Sequence, residues 1–101
     1  MTAERETLET RPYDTAERLR TQEDVALYIE AVLEESDPAL LAHALGVVAR
    51  VRGMAQIARE TGRSRESLYR SLSDKGDPQL STLMGVLRAV GLQLSVRPAK
   101  A

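Results

Sequence analysis

The feature that most constrains the fold is a pattern of small, apolar and glycine positions in residues 54–73, which read MAQIARETGRSRESLYRSLS. Ala58 and Gly62 are four residues apart, and Leu68 lies ten residues after the alanine. Two helices that cross steeply need a small side chain where they meet, and the tight turn between them needs a residue that tolerates a positive φ. The pattern therefore predicts two short helices on either side of Gly62.

This spacing is typical of a helix-turn-helix, whose second helix places its amino end in the major groove of DNA. At about 100° per residue, the leucines of the second helix point inward and leave a polar outer face. The predicted structural positions are Ile57, Ala58, Gly62, Leu68 and Leu72. The residues predicted to read base edges are Ser64, Arg65, Glu66, Tyr69 and Arg70.

The side chains of this outer face suit the reading of a base sequence. Arg65 and Arg70 can each pair with guanine through two hydrogen bonds, which contributes about 1–3 kcal/mol of discrimination per base pair. Glu66 can accept a hydrogen bond from cytosine but repels phosphate, so it favours a sequence reader. Two alternatives stay open: a plain helical hairpin whose arginines are solvated or salt-bridged, and a Tyr69 side chain that packs on its own helix.

A second set of residues is placed for contact with the sugar-phosphate backbone. Arg50 and Arg52 precede the first motif helix, and Lys75 lies in the loop after the second. Ser81 and Thr82 begin a later helix whose free amides can also meet phosphate. The complete predicted backbone set is Arg50, Arg52, Gln56, Arg63, Ser67, Ser73, Lys75, Ser81 and Thr82.

Charge is sorted along the chain. The formal net charge is −1, which argues against a protein that coats nucleic acid indiscriminately. Residues 1–37 nevertheless carry eleven acidic and four basic side chains, whereas residues 50–70 carry six arginines and two glutamates. The arginines are concentrated where a DNA groove would lie, and the acids lie elsewhere.

The remaining periodicity predicts an all-α chain of five helices. A length of 101 residues allows one domain, and the chain is rich in helix-forming Ala, Leu, Arg and Glu. Thr21 and Asp37 are good N-caps, and Pro38 suits a first helical position. Ser81 or a near neighbour is expected to cap the fifth helix. The apolar stripe of that helix is predicted to be Leu80, Leu83, Met84, Leu87 and Val90.

Two terminal segments lie outside these helices. Residues 1–20 are polar and broken by Pro12, so we expect an N-terminal arm rather than core, with the domain spanning 21–101. Residues 92–96 alternate apolar and polar side chains, which is the period of a half-buried strand. A lone strand needs a partner, which we expect from the arm around Tyr13 or from the same segment of a second subunit.

Composition argues against several classes of function. The chain has no cysteine and one histidine, His43, which cannot form a metal site without several carboxylate ligands. There is no glycine-rich phosphate loop, so we expect neither an enzyme nor a bound cofactor, and we expect His43 on or near a helix surface. No stretch approaches the about 18–20 apolar residues of a membrane span. We therefore expect a cytoplasmic protein without membrane contact.

Three segments together resemble a known family. They read YDTAERL at residues 13–19, ARVRGMAQIARETGRSRESLYRSLS at 49–73 and GDPQLSTLMGVLRAVGLQLSV at 76–96. The chain resembles the Cro/cI-type helix-turn-helix family, and within it the HigA-like probable addiction module antidote proteins, which are antitoxins of type II toxin-antitoxin systems. Arg63 departs from the motif, which often has an aliphatic residue there, and its role stays open between the core edge and a phosphate contact.

The resemblance implies a five-helix lambda-repressor-like domain that forms a homodimer and binds a palindromic operator near its own promoter. It also implies a RelE/ParE-like toxin, usually basic, which the acidic N-terminal third would attract. We expect the dimer contact at the fifth helix and residues 92–96. The alternatives are a solitary transcriptional regulator without a toxin and a protein-interaction module that has lost DNA binding.

Overall fold

The computed structural model describes residues 19–99, and every regular element in that range is an α-helix. The helices are α1 (Gln22–Leu33), α2 (Pro38–Arg52), α3 (Met54–Thr61), α4 (Arg65–Ser71) and α5 (Leu80–Ala89). The predicted all-α class with five helices is confirmed. Within residues 19–99, no helix combines the length and the apolar character that crossing a bilayer demands.

The first two helices begin at the predicted caps. The Thr21 hydroxyl oxygen accepts a hydrogen bond of 3.0 Å from the Asp24 amide. The Asp37 carboxylate accepts bonds from the amides of Ala39 and Leu40, at 3.0 and 3.3 Å. Because each cap satisfies amides that have no partner inside the helix, the local sequence suffices to fix where both helices begin.

The core lies between α1, α2, α3, α4 and the carboxyl half of α5. Its largest fully buried side chains are Leu45, Ile57, Leu68, Leu72, Val25, Val48, Val86 and Val90. Leu19 is only 3% exposed and belongs to the same cluster. The expectation that the first twenty residues all stay outside the core is therefore wrong for Leu19. The rest of the predicted arm, residues 1–18, lies outside the described residues.

Helix α5 buries only part of the predicted stripe, namely Leu87 and Val90, with Leu83 partly buried. Leu80 and Met84 are 67% and 44% exposed, although both were expected in the buried stripe. Thr82 and Val86 are buried instead, because α5 packs against α3 with Gly85 beside the Thr61 side chain. The cap of this helix falls on a near neighbour of Ser81, as expected, but it is not a side-chain cap. Gln79 precedes the helix without a side-chain cap bond, and the sequence places Ser81 inside the first turn.

The segment after α5 forms no strand. Residues 92–99 have no regular secondary structure, and no other described segment pairs with them. A strand requires a neighbour to complete its backbone hydrogen bonds, and the arm around Tyr13 lies outside the described residues. Val96 is 95% exposed, while Arg97 lies 3.7 Å from the Glu30 carboxylate of α1. Residues 19–99 of one chain therefore do not show the predicted strand at 92–96.

Candidate nucleic-acid interface

The connection between α3 and α4 depends on Gly62. This residue ends α3 with a φ of 73°, in the left-handed region that glycine occupies without strain. The amides of Gly62 and Arg63 both donate to the Ala58 carbonyl, at 2.9 and 3.2 Å, so the end of α3 is closed by its own backbone. The predicted positive φ at this glycine is confirmed, and it turns the chain within three residues.

Ser64 begins α4 as its N-cap. Its hydroxyl oxygen accepts a hydrogen bond of 3.0 Å from the Ser67 amide. Ser64 was predicted to read a base, and the cap now occupies its oxygen while leaving the hydroxyl proton free to donate. The half-buried Ser67, predicted for the backbone set, lies one turn further along. The amino end of α4 is therefore held in a defined conformation.

The predicted structural positions lie inside the fold. Ile57 is 1% exposed, Leu68 and Leu72 are fully buried, and Ala58 is partly buried against the core. Gly46, in the middle of α2, is a further structural position that was not predicted from the sequence. A Cβ placed there would overlap the backbone carbonyl oxygen of Leu72, so α2 approaches the end of α4 at a position where only hydrogen fits. A lone glycine inside an apolar helix was the available signal.

The outer face of α4 presents charged side chains to solvent. Arg65, Glu66 and Arg70 are all exposed, and Tyr69 is 39% exposed beside them. None of the three charged groups has an ion-pair partner among residues 19–99. The arrangement therefore leaves the hydrogen-bonding groups of these side chains available to a ligand.

Tyr69 also meets a residue of another helix. The Arg50 guanidinium, from the last turn of α2, lies 5.6 Å from the centroid of the Tyr69 ring. That distance is within the range of an attractive cation–π contact. We call the surface formed by Arg50, Arg65, Glu66, Tyr69 and Arg70 the basic face.

Arg63 and Ser81, both predicted for the backbone set, lie side by side. The Arg63 guanidinium donates to the Ser81 hydroxyl at 2.9 Å, which joins the α3–α4 turn to the first turn of α5. Arg63 is half-buried. Thr82 is only 4% exposed, because its side chain is enclosed where α5 packs against α3. The prediction that the Thr82 side chain contacts phosphate is therefore wrong.

The other residues of the predicted backbone set are spread over α2, α3 and the loop after α4. The exposed Gln56 side-chain amide donates to the Glu60 carboxylate at 3.0 Å. The Ser73 hydroxyl donates to the Arg70 carbonyl at 3.0 Å and accepts from the Lys75 amide at 3.4 Å. These bonds shape the helix surface and the loop. Two further members of the set, Arg52 and Lys75, are half-buried and exposed respectively.

A second charged surface lies on α1. We call the exposed residues Glu23, Leu27, Glu30 and Glu34 the acidic face; their spacing of three and four residues aligns them along the helix. Leu27 is 65% exposed, at the centre of this row. Beside it lies an open groove of about 310 Å³, whose apolar lining includes Ile29, Leu33, Leu41, Leu83, Leu87 and Leu92. His43, on α2, is exposed.

Comparison with known proteins assigns the chain to a family. The sequence model of the family described as probable addiction module antidote protein matches residues 9–98, which include all five helices. The chain belongs to this family, as its sequence predicted. The family description is that of an antidote, which implies a toxin as partner.

One relative from the curated proteins is similar over almost its whole length. It is an uncharacterized protein of Haemophilus influenzae, 42% identical over 94 residues, which cover 93% of this chain and 97% of the relative. No solved structure matches the chain. The family membership therefore rests on sequence similarity.

Proposed function

We propose that this protein is a sequence-specific DNA-binding antitoxin that represses its own operon and acts in the cytoplasm. Its α3 and α4 act as the helix-turn-helix of a lambda-repressor-like domain. The observation that carries the proposal is the outer face of α4, where Arg65, Glu66 and Arg70 are exposed without ion-pair partners among residues 19–99. Membership of the antidote family supports the regulatory role.

In this proposal, the amino end of α4 enters the major groove. Arg65 and Arg70 read guanine, Glu66 reads cytosine, and the Ser64 hydroxyl donates its remaining proton to a base. The sugar-phosphate backbone is held by the predicted residues other than Thr82, namely Arg50, Arg52, Gln56, Arg63, Ser67, Ser73, Lys75 and Ser81. Among these residues, Arg63 and Ser81 are joined by a hydrogen bond. The free amides at the start of α5 lie next to this pair and can bind the same phosphate.

The protein acts as a homodimer on a palindromic operator. Exposed apolar side chains on α5 and the following segment support a contact there: Leu80, Met84, Leu94 and Val96. Burial of these side chains between two copies would remove apolar surface from water. Pairing of residues 92–96 with the same segment of a second subunit would also complete their backbone hydrogen bonds.

The cognate toxin is a RelE/ParE-like protein that docks on the acidic face. Charge complementarity supports this assignment, since Glu23, Glu30 and Glu34 attract a cationic partner and Leu27 offers it an apolar contact. The acidic face and the basic face use different side chains. DNA and toxin can therefore engage one antitoxin through separate residues.

A gel-shift titration with the DNA upstream of the gene tests the DNA-binding role. We expect a shifted band at low salt, and we expect that Arg65→Ala combined with Arg70→Ala abolishes sequence-specific binding. Arg20→Ala is the control, because it removes one exposed arginine just before α1, outside both the basic face and the proposed dimer contact. No shift with the unaltered protein at low salt contradicts the proposal and favours a protein-interaction module.

Co-purification with the product of the neighbouring reading frame tests the toxin-binding role. Glu30→Lys combined with Glu34→Lys should release the toxin, because the reversed charges repel a cationic surface. Asp77→Lys, in the exposed loop before α5, is the control and should retain it. A locus without a toxin gene would identify the chain as a solitary regulator.

A further inference from the structure

Arg50 and Tyr69 come from different helices and meet on the basic face. Arg50 lies in the last turn of α2, and its guanidinium carbon is 5.6 Å from the centre of the Tyr69 ring. Tyr69 is on the outer face of α4, four residues after Arg65 and three after Glu66. The contact therefore brings a cation from outside α4 to the surface that α4 offers to DNA.

A guanidinium over an aromatic ring keeps its hydrogen-bonding edge free. Its five N–H donors lie in the guanidinium plane, whereas the ring attracts the face of the group. Neither residue is enclosed, since Arg50 is exposed and Tyr69 is 39% exposed. The guanidinium can therefore donate to an acceptor outside the protein while the ring limits the freedom of a long side chain.

We propose that Tyr69 is a positioning residue, whose ring holds the Arg50 guanidinium where it binds a DNA phosphate at the margin of the groove entered by α4. This inference rests on the proposed function and changes the role of Tyr69 from a reader of bases to a support for a backbone contact. The predicted role of Arg50 as a backbone contact is kept.

The placement of the pair favours phosphate over a base edge. Arg50 belongs to α2 and meets α4 at Tyr69, in the carboxyl half of that helix, rather than at the amino end that enters the groove. No carboxylate among residues 19–99 forms an ion pair with Arg50, so its charge is not neutralised there. A planar guanidinium with free edge donors matches the paired oxygens of a phosphate.

Four variants test the inference on a duplex selected by the unaltered protein from a random pool. We expect Arg50→Ala to weaken binding about fivefold to tenfold near 0.1 M salt and to reduce the salt slope by about one per protomer. Tyr69→Leu should weaken binding about threefold and also reduce the salt slope. The loss is smaller than in Arg50→Ala because Arg50 without the ring still contacts phosphate part of the time. Tyr69→Phe, which keeps the ring, should bind like the unaltered protein.

The combination of Arg50→Ala with Tyr69→Leu shows whether the two residues contribute to DNA binding together or independently. We expect the double variant to bind no more weakly than Arg50→Ala alone, and base preference to stay unchanged in all four. Additive losses, an altered base preference in Tyr69→Leu, or equal losses in Tyr69→Phe and Tyr69→Leu would each overturn the inference.

A measurement without DNA distinguishes this inference from the proposed function. In the free protein, the ring current of Tyr69 should shift the NMR signals of the Arg50 side-chain protons, and Tyr69→Leu should abolish that shift while Tyr69→Phe retains it. Absence of the shift in the unaltered protein overturns the inference alone. Failure of the unaltered protein to bind any duplex overturns the proposed function, and the phosphate role falls with it.

Discussion

The basic face and the acidic face differ in the contacts that surround their charged side chains. Near the basic face, a hydrogen bond and a cation–π contact join residues of different segments, whereas the acidic face has one ion pair among residues 19–99. Around the basic face, Arg50 lies over Tyr69, Arg63 donates to Ser81, and Ser64 caps the helix that carries Arg65. On the acidic face, the one ion pair among residues 19–99 is the exposed contact between Glu30 and Arg97. Both faces are exposed, but among residues 19–99 only the basic face has a charged side chain held over an aromatic ring of another helix.

The difference follows from the ligands that the two faces are proposed to bind. The positions of the binding groups in a DNA groove are fixed. A protein surface that binds them loses less conformational entropy if its side chains are already held in place. A cationic protein surface can be attracted by charge at some distance, without one fixed arrangement of carboxylates. The following variants test whether binding by the basic face depends on its supports.

The largest effect is expected at Gly46, which sets the position of α4. Gly46→Ala should destabilise the fold by up to about 3 kcal/mol, because the new methyl group meets the Leu72 backbone rather than a movable side chain. Gly85→Ala is the matched control, since its Cβ would lie 3.4 Å from a Thr61 methyl group and alanine favours helix. Urea unfolding measures both. Equal midpoints would show that α2 does not constrain α4.

A smaller effect, on DNA binding alone, is expected at Arg65. Arg65→Ala should cost about 1–3 kcal/mol of discrimination at one base pair. Arg52→Ala should instead weaken binding to all sequences alike and reduce the salt slope by about one. Competition between operator and random DNA measures the two. Equal losses of Arg65→Ala on both kinds of DNA would show that the basic face does not read bases.

The two hydroxyl caps give a more direct comparison of the faces. Ser64 caps α4, which carries most of the basic face, and Thr21 caps α1, which carries the acidic face. Each hydroxyl oxygen accepts a hydrogen bond of 3.0 Å from the amide three residues later. Ser64→Ala and Thr21→Ala should each cost about 1 kcal/mol of stability in thermal unfolding. Only Ser64→Ala should also weaken operator binding in a titration. A similar loss of binding in Thr21→Ala would mean that general stability, not preorganisation, governs affinity.

Local interactions explain which parts of this structure could be predicted from the sequence. The caps at Thr21 and Asp37 and the positive φ at Gly62 depend on residues within a few positions of one another. Helical periodicity likewise identified Ile57, Leu68 and Leu72 as inward-facing. The caps and the glycine locate helix ends, and the inward-facing residues leave the opposite side of α4 as its outer face.

The features that were missed depend on contacts between distant segments. Thr82 is buried and Leu80 exposed because of how α5 is rotated against α3, which the stripe of α5 alone does not determine. The role of Gly46 depends on where α2 meets the end of α4. The alternation in residues 92–96 predicted a strand, but an alternating segment forms a strand only where another segment pairs with it.

The smallest effect is expected at Tyr28, on the helix of the acidic face, where a loss of stability is expected only at alkaline pH. Burial raises the pKa of the Tyr28 phenol above its ordinary value, because the phenolate is disfavoured away from water. The unfolded chain then loses this proton at a lower pH than the folded chain, so the contribution is fully present below about pH 10 and is lost as the pH rises through the folded pKa. We expect the free energy of unfolding to fall less steeply between pH 8 and pH 11 in Tyr28→Phe than in the unaltered protein. Phenylalanine has no proton to lose, and the other titrating groups are common to both proteins. Identical slopes would mean that the phenol of Tyr28 is as well solvated as in the unfolded chain, and that α1 packs on the core less closely at this position.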